Sequence, residues 1–284
     1  MRYFLLLFRL IVVSLILSIL LGGGYLLLLR GSIPSQYEAG KEADRFARRI
    51  QEVVKRNAWV ETGAIRWSLL NNKHLWDLRR GLIQTRFSDP QGQHEVLFDV
   101  DFKRYRVKSK LNTGPRANKW TKVRDESAQE TAQSAYHLWL RDRFILEPSQ
   151  SLFDRGVERY LVDPSKDQKS LLVHYRRGGE NPGDSFLWNL DKNGLPAGIR
   201  VWSDQLYISG LEMKMDKWRT LKTGLNVSTR RSIGPITIDI KVSAAMSLTH
   251  LVGRVDPFKG IEGDPFDPPP SSQPNVISTA KKTY

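Results

Sequence analysis

From Gly63 onwards the apolar residues recur at every second position, in short runs cut by turn residues. Ile65, Trp67 and Leu69 alternate with Ala64, Arg66 and Ser68, the period of a strand with one buried face. Turns at Asn71-Asn72-Lys73 and Arg79-Arg80-Gly81 set off two more runs, 74–78 and 82–87. The cluster Ser88-Asp89-Pro90-Gln91-Gly92 then leads to 96–101 and 105–110. After a helical middle, strands resume at 157–162, 170–175 and 185–190. Asp191-Lys192-Asn193-Gly194 ends in Asn-Gly, the strongest short hairpin signal, and joins 185–190 to 199–202. Further strands fall at 206–215, 226–231 and 236–242. A meander of about eleven short strands pairs antiparallel, and a sheet that wide must curl.

A curled sheet has a concave apolar face that another element covers. Two helical patterns supply the cover. Ser35, with Glu38 three residues on, reads as a capping box, and Ala43, Phe46, Ile50, Val53 and Val54 form one stripe behind it. Ala128, Ala132, Ala135, Leu138 and Trp139 form a second stripe between Asp125 and Arg143. The predicted fold class is therefore α+β: a curved antiparallel half-barrel over residues 31–262, with helices on its concave face. A composition 40% hydrophobic and 26% charged fits a globular chain, and excludes a wholly disordered protein, a collagen-like repeat and a polytopic transporter.

The ends of the chain read differently. Residues 10–29 carry no charge and are mostly Leu, Ile and Val, enough for a helix of roughly 30 Å, the thickness of a bilayer core. The run is longer than the apolar core of a cleaved signal peptide, and no Ala-x-Ala site follows before Ala39. Residues 1–30 are expected to be an uncleaved signal anchor, making the chain a single-pass inner-membrane protein with an extracytoplasmic globular domain. Residues 263–284 hold Pro265, Pro268, Pro269, Pro270 and Pro274 without periodicity, and read as a disordered or extended tail.

The order of elements over about residues 36–250 resembles the lipoprotein-carrier superfamily. Its members are half-barrels with helices plugging a greasy concave face, and they carry lipoprotein acyl chains or other lipids. The strings His74-Leu75-Trp76-Asp77-Leu78-Arg79-Arg80-Gly81, Ala135-Tyr136-His137-Leu138-Trp139, Leu152-Phe153-Asp154-Arg155-Gly156-Val157 and Pro182-Gly183-Asp184-Ser185-Phe186-Leu187-Trp188 are similar to a family of bacterial envelope proteins. Neither likeness transfers a functional residue.

Catalytic motifs are missing from the sequence. There is no nucleophile elbow, no phosphate-cradling loop and no HExxH, and the absence of cysteine excludes thiolate chemistry. His74, His94, His137, His174 and His250 include no i, i+4 pair, so no metal and no cofactor is expected. Residues 189–194 imitate the opening of a calcium loop, but the twelfth position is Arg200 rather than glutamate, and the hairpin reading prevails. His74, Trp76 and Asp77 form the most catalytic-looking cluster, yet His74 and Asp77 point to opposite strand faces. Asp77 fits a turn residue accepting backbone N–H bonds. The chain is read as a non-enzyme.

Two residue sets carry the functional expectation. Trp67, Trp76, Trp188 and Trp202 are candidates to line an apolar cavity, with the indole N–H orienting a polar head. Arg104, Arg106, Lys108 and Lys110 share one face of a strand and are candidates for contact with anionic headgroups, in a chain of net charge +14. The expected function is a membrane-anchored envelope protein binding a lipid or lipidated protein in a half-barrel cavity. A structural protein with a filled core and no ligand is the alternative. The expected partners are the bilayer through 10–29, anionic lipid or a lipidated protein, and no nucleic acid.

Overall fold

The computed structural model describes residues 30–115, 117–162, 169–177, 183–203 and 209–262. The apolar segment 10–29 and the proline-rich tail 263–284 lie outside the described residues.

The first element is a short strand, β1 (Tyr37–Ala39), followed at Gly40 by helix α1 (Lys41–Val53). The expected Ser35 capping box is absent. Residues 37–39 pair with a distant strand instead, and α1 starts without a side-chain cap. Ala43, Ala47 and Ile50 form its buried stripe. A single turn, α2 (Ala58–Glu61), leads into six strands: β2 (Ala64–Leu69), β3 (Asn72–Asp77), β4 (Leu82–Asp89), β5 (Gly92–Asp99), β6 (Tyr105–Leu111) and β7 (Trp120–Val123). Helix α3 (Glu126–Leu146) opens on Asp125, whose carboxylate accepts the N–H of Ser127. Its twenty-one residues span about 31 Å.

The second run of strands is β8 (Val157–Val162), β9 (Ser170–Tyr175), β10 (Ser185–Leu190), β11 (Pro196–Trp202), β12 (Leu211–Thr220), β13 (Asn226–Ile233) and β14 (Ile236–Asp239). β15 (Lys241–Ala245) and two short helices, α4 (Leu248–Val252) and α5 (Lys259–Glu262), follow. At the β10–β11 hairpin, Asp191 accepts the backbone N–H groups of Asn193 and Leu195, so the carboxylate of the calcium-loop imitation closes a turn.

All pairing is antiparallel, but the single curled sheet of about eleven strands is not found. The strands form two sheets. Sheet A runs β1-β8-β9-β10-β11-β12-β13-β14, and sheet B runs β15-β2-β3-β4-β5-β6-β7. The sequence run 236–242 is where the chain changes sheet. β14 pairs with β13 and β15 with β2, and only Ile240 lies between them. Ile240 still donates its N–H to Thr229 at 2.8 Å, while its side chain enters the core of sheet B. Strongly twisted sheets this wide split rather than continue, and one residue suffices for the change of direction.

Helix α3 covers the inner face of sheet B with Ala128, Ala132, Ala135 and Trp139, against Ile65, Trp67, Trp76, Ile83 and Phe98. Its last turn bridges the sheets: Phe144 enters the core of sheet A, and Ile145 packs against both cores. Helix α1 covers sheet A, where Ala43, Ala47 and Ile50 meet Val157, Leu161, Leu171 and Trp188. On the outer face of sheet B, Leu75, Leu82 and Leu97 are covered by Leu248, Phe258 and Ile261 of the C-terminal helices.

The expected placement as a single-pass inner-membrane protein is corrected. Among the described residues no helix is long and apolar enough to cross a membrane. The longest helix among the described residues, α3, carries Glu126, Glu130, Arg141, Asp142 and Arg143, charges that a bilayer core would not accept unpaired.

Candidate functional site

Three arrangements carry chemistry. The first lies inside sheet B. The register sets His74 opposite Trp67 on one side and Thr85 on the other, so all three face α3. The imidazole stacks on Trp67 with centroids 4.7 Å apart. Its Nδ1 lies 3.1 Å from Thr85 Oγ1 and its Nε2 3.0 Å from Asp142 Oδ2. Asn72 Nδ2 donates to the same oxygen at 2.8 Å, and Arg141 Nε to Asp142 Oδ1 at 2.8 Å. The second arrangement repeats the pattern two strands away. His94 Nδ1 lies 2.8 Å from Ser109 Oγ and its Nε2 3.0 Å from Asp89, an ion-pair contact not aligned as a hydrogen bond.

Both are hydroxyl–imidazole–carboxylate series. A serine-hydrolase relay needs its hydroxyl where a substrate can reach it. Here Thr85 is 0% and Ser109 2% exposed, and the hydroxyls sit on Nδ1, the nitrogen that a relay reserves for the carboxylate. As built, they are buried polar groups that fix the register of the sheet under α3, with both ring nitrogens of His74 hydrogen-bonded and His94 Nε2 held only by its contact with Asp89. Asp77, the local candidate partner for His74, instead accepts N–H bonds from Arg79 and Arg80, as its turn position implies.

The third arrangement is a cleft where α3 ends against sheet A. Arg143, Glu147, Gln150, Ser151, Tyr175 and Phe186 line a cavity of about 20 Å³, room for one water. Burial shifts the titratable groups Glu147 and Tyr175 in its lining and Asp154 nearby. Burial raises Glu147 against the lowering effect of the hydroxyl and N–H of Ser149, and burial also raises Asp154 and Tyr175. Arg231 reaches the helix end from β13. It donates to Ile145 O at 2.9 Å and Leu146 O at 3.0 Å, two carbonyls of the last helical turn. Burial lowers its guanidinium to about 10, partly offset by Glu147.

The four candidate tryptophans are not brought together. Trp67 and Trp76 belong to the core of sheet B, and Trp188 to that of sheet A. Trp202 lies on the opposite face of β11 from the core residues Ile199 and Val201, and donates its indole N–H to Gly31 O at 2.8 Å, tying down the incoming chain. Trp76 meets Trp139 edge-on at 5.4 Å, and Arg143 stands over both rings. Of the four basic candidates, Arg104 is exposed and pairs with Asp99 at 2.9 Å. Arg106 is half-buried beside α5, Lys108 is exposed near Glu95, and Lys110 is half-buried. Among the described residues no group of His, Asp and Glu is placed to hold a metal ion.

Asp142 is the functional-looking residue that the helical stripe should have revealed. It falls on the buried series 128, 132, 135, 139, 142 and 146, where a carboxylate requires a partner. Arg231 left a comparable trace, since it shares its face of β13 with Val227 and Ile233, where a cation requires partners.

The architecture is an antiparallel two-sheet α+β body, filled and capped by helices. No family model matches the chain, and no curated protein matches it. Solved structures similar to it include a DUF1329 family protein from Desulfovibrio piger, with 10% identity, a TM-score of 0.35, and coverage of 76% of this chain and 98% of that one. Another is a proposed outer membrane lipoprotein-sorting protein domain from Vibrio parahaemolyticus, with 9% identity, a TM-score of 0.26, and coverage of 70% and 91%. At these TM-scores neither likeness fixes a function, and none is taken from them.

Proposed function

We propose that this chain is a non-enzymatic bacterial envelope protein that acts as a scaffold, with a filled interior and its function carried on its surface. One observation supports this reading above others. The space between α3 and sheet B, where a half-barrel carrier would hold its cargo, is occupied by Trp67, Trp76, Phe98, Trp139 and their neighbours. The cleft at the end of α3 has about 20 Å³, against the roughly 300 Å³ or more of an organic-ligand pocket. The burial of both histidine series supports the absence of catalysis. Native mass spectrometry of the purified full-length protein, together with titration of a fluorescent fatty acid, tests the reading. No stoichiometric apolar ligand is expected. Saturable uptake at micromolar concentration overturns it.

A second reading has its own support. The indole N–H groups of Trp59, Trp67, Trp76 and Trp139 are buried in one core without a hydrogen-bond partner among the described residues, as is that of Trp188 in the other. Buried donors are normally satisfied. An apolar chain ending in an acceptor, admitted as α3 lifts from sheet B, would satisfy them. This reading predicts fatty-acid uptake that quenches tryptophan fluorescence and that is lost in Trp139→Phe.

A further inference from the structure

We propose that the outer face of sheet B docks on an anionic lipid bilayer through a cationic stripe laid across its strands rather than along one of them. The pairing register composes the stripe. Lys241 is opposite Ser68, Ser68 opposite Lys73, Lys73 opposite Arg86, Arg86 opposite Glu95, Glu95 opposite Lys108, and Lys108 opposite Lys122. One row thus crosses all seven strands with five cations and a single acid. At 4.7–4.9 Å per strand it extends about 29 Å. Lys73, Arg86, Lys108, Lys122 and Lys241 are all exposed. Glu95 is neutralised between Arg86 Nη2 at 2.6 Å and Lys108 Nζ at 3.6 Å.

Three features separate this row from an ordinary solvated face. It sets like charges directly opposite each other twice, Lys73 against Arg86 and Lys108 against Lys122, an arrangement that costs stability in a sheet. Glu95 offsets one member of each pair, but it is a single acid among five cations, and an excess of like charge within one row marks a place where something outside the fold sets the sequence. Three of the five cations, Lys73, Arg86 and Lys108, also lie on the interior strands β3, β4 and β6, where charge gives no edge protection, while Lys241 and Lys122 stand on the edge strands β15 and β7. Finally, the C-terminal helices cover the apolar half of this face, at Leu75, Leu82 and Leu97, and among the described residues the five cations of the other half are exposed.

The occupant follows from what accompanies the charge. In the next row Lys110 is opposite Trp120, which is 49% exposed at the edge of the cationic half. An indole beside lysines suits the headgroup level of a bilayer, where its ring is half in hydrocarbon and its N–H in the polar layer. Single-stranded nucleic acid would call for a series of stacking rings between the cations, and this row has none.

The test is lysine acetylation footprinting of the full chain, read residue by residue by mass spectrometry. Vesicles of pure phosphatidylcholine are compared with vesicles rich in phosphatidylglycerol. Lys73, Lys108, Lys122 and Lys241 should be protected only on the anionic vesicles, while Lys192, at the β10–β11 turn of sheet A, is unchanged. Molar salt should remove the protection, since the screening length falls to about 3 Å. In the variant K73S/K122S/K241S the protection of Lys108 should fall by more than about ten-fold, as each cation near an anionic surface strengthens binding roughly five-fold. Equal reactivity on both vesicle types overturns the proposal. So does protection by a single-stranded oligonucleotide without protection by vesicles, which reassigns the stripe to nucleic acid. The inference does not depend on the filled core: fatty-acid uptake leaves it standing, and a negative footprint leaves the scaffold reading standing.

Discussion

Arg231 is 2% exposed, and its guanidinium donates to Ile145, Leu146, Ser228 and Arg230 carbonyls while facing Glu147. Arg231→Met leaves those carbonyls and a buried carboxyl without their cation, so urea unfolding should report a loss of about 3 kcal/mol or more. Adding Glu147→Gln should recover part of it, because the two sites are coupled. Glu147→Gln alone reads the pH dependence. Burial raises Glu147 above its usual 4.5, so the folded protein keeps this proton after the unfolded chain has lost it. That stabilisation is complete below about pH 4.5 and is lost as pH rises through the folded value. The Gln variant, whose amide oxygen can still accept from Ser149, should lose less stability between pH 4.5 and 8 than the parent; an unchanged slope would assign the pH dependence elsewhere. At this scale the sequence is half legible. Asp142 announces itself as a carboxylate on a buried helical stripe, but nothing local names His74 and Asn72 as its partners, because they are contributed by a strand about seventy residues earlier.

Helix α3 approaches sheet B closely because Ala128, Ala132 and Ala135 present almost no side chain to it. Ala132→Leu should overpack that contact and cost about 1–3 kcal/mol, visible as a lower denaturation midpoint at unchanged slope. Glu130→Gln, on the exposed face of the same helix, is the control and should change stability by less than about 0.5 kcal/mol. The helix and most strands of both sheets follow from apolar spacing alone, since 3.6- and 2-residue periods are local properties. β1 does not, because Tyr37–Ala39 is exposed throughout and owes its conformation to pairing with β8. Nor does the split of 236–242 into β14 and β15, where alternation continues across Ile240 while the hydrogen-bonding partner changes.

The two sheets are tied by Ile240, by the last turn of α3 between both cores, and by Arg231 holding that turn from sheet A. Denaturant unfolding of the full chain should therefore give coincident transitions by far-ultraviolet circular dichroism and by tryptophan fluorescence. Two separated transitions would mean that these ties are too weak to couple the sheets. Sequence alone determined the α+β class, the antiparallel meander, both covering helices and the turn chemistry, because period and turn preference act over a few residues. Only tertiary structure decided that there are two sheets rather than one, that Trp67 and Trp76 belong to one core, Trp188 to another and Trp202 to neither, and that the basic residues align across strands. The physical reason is register: which residues become neighbours across a sheet is set by pairing between segments far apart in the chain, and no local pattern encodes it.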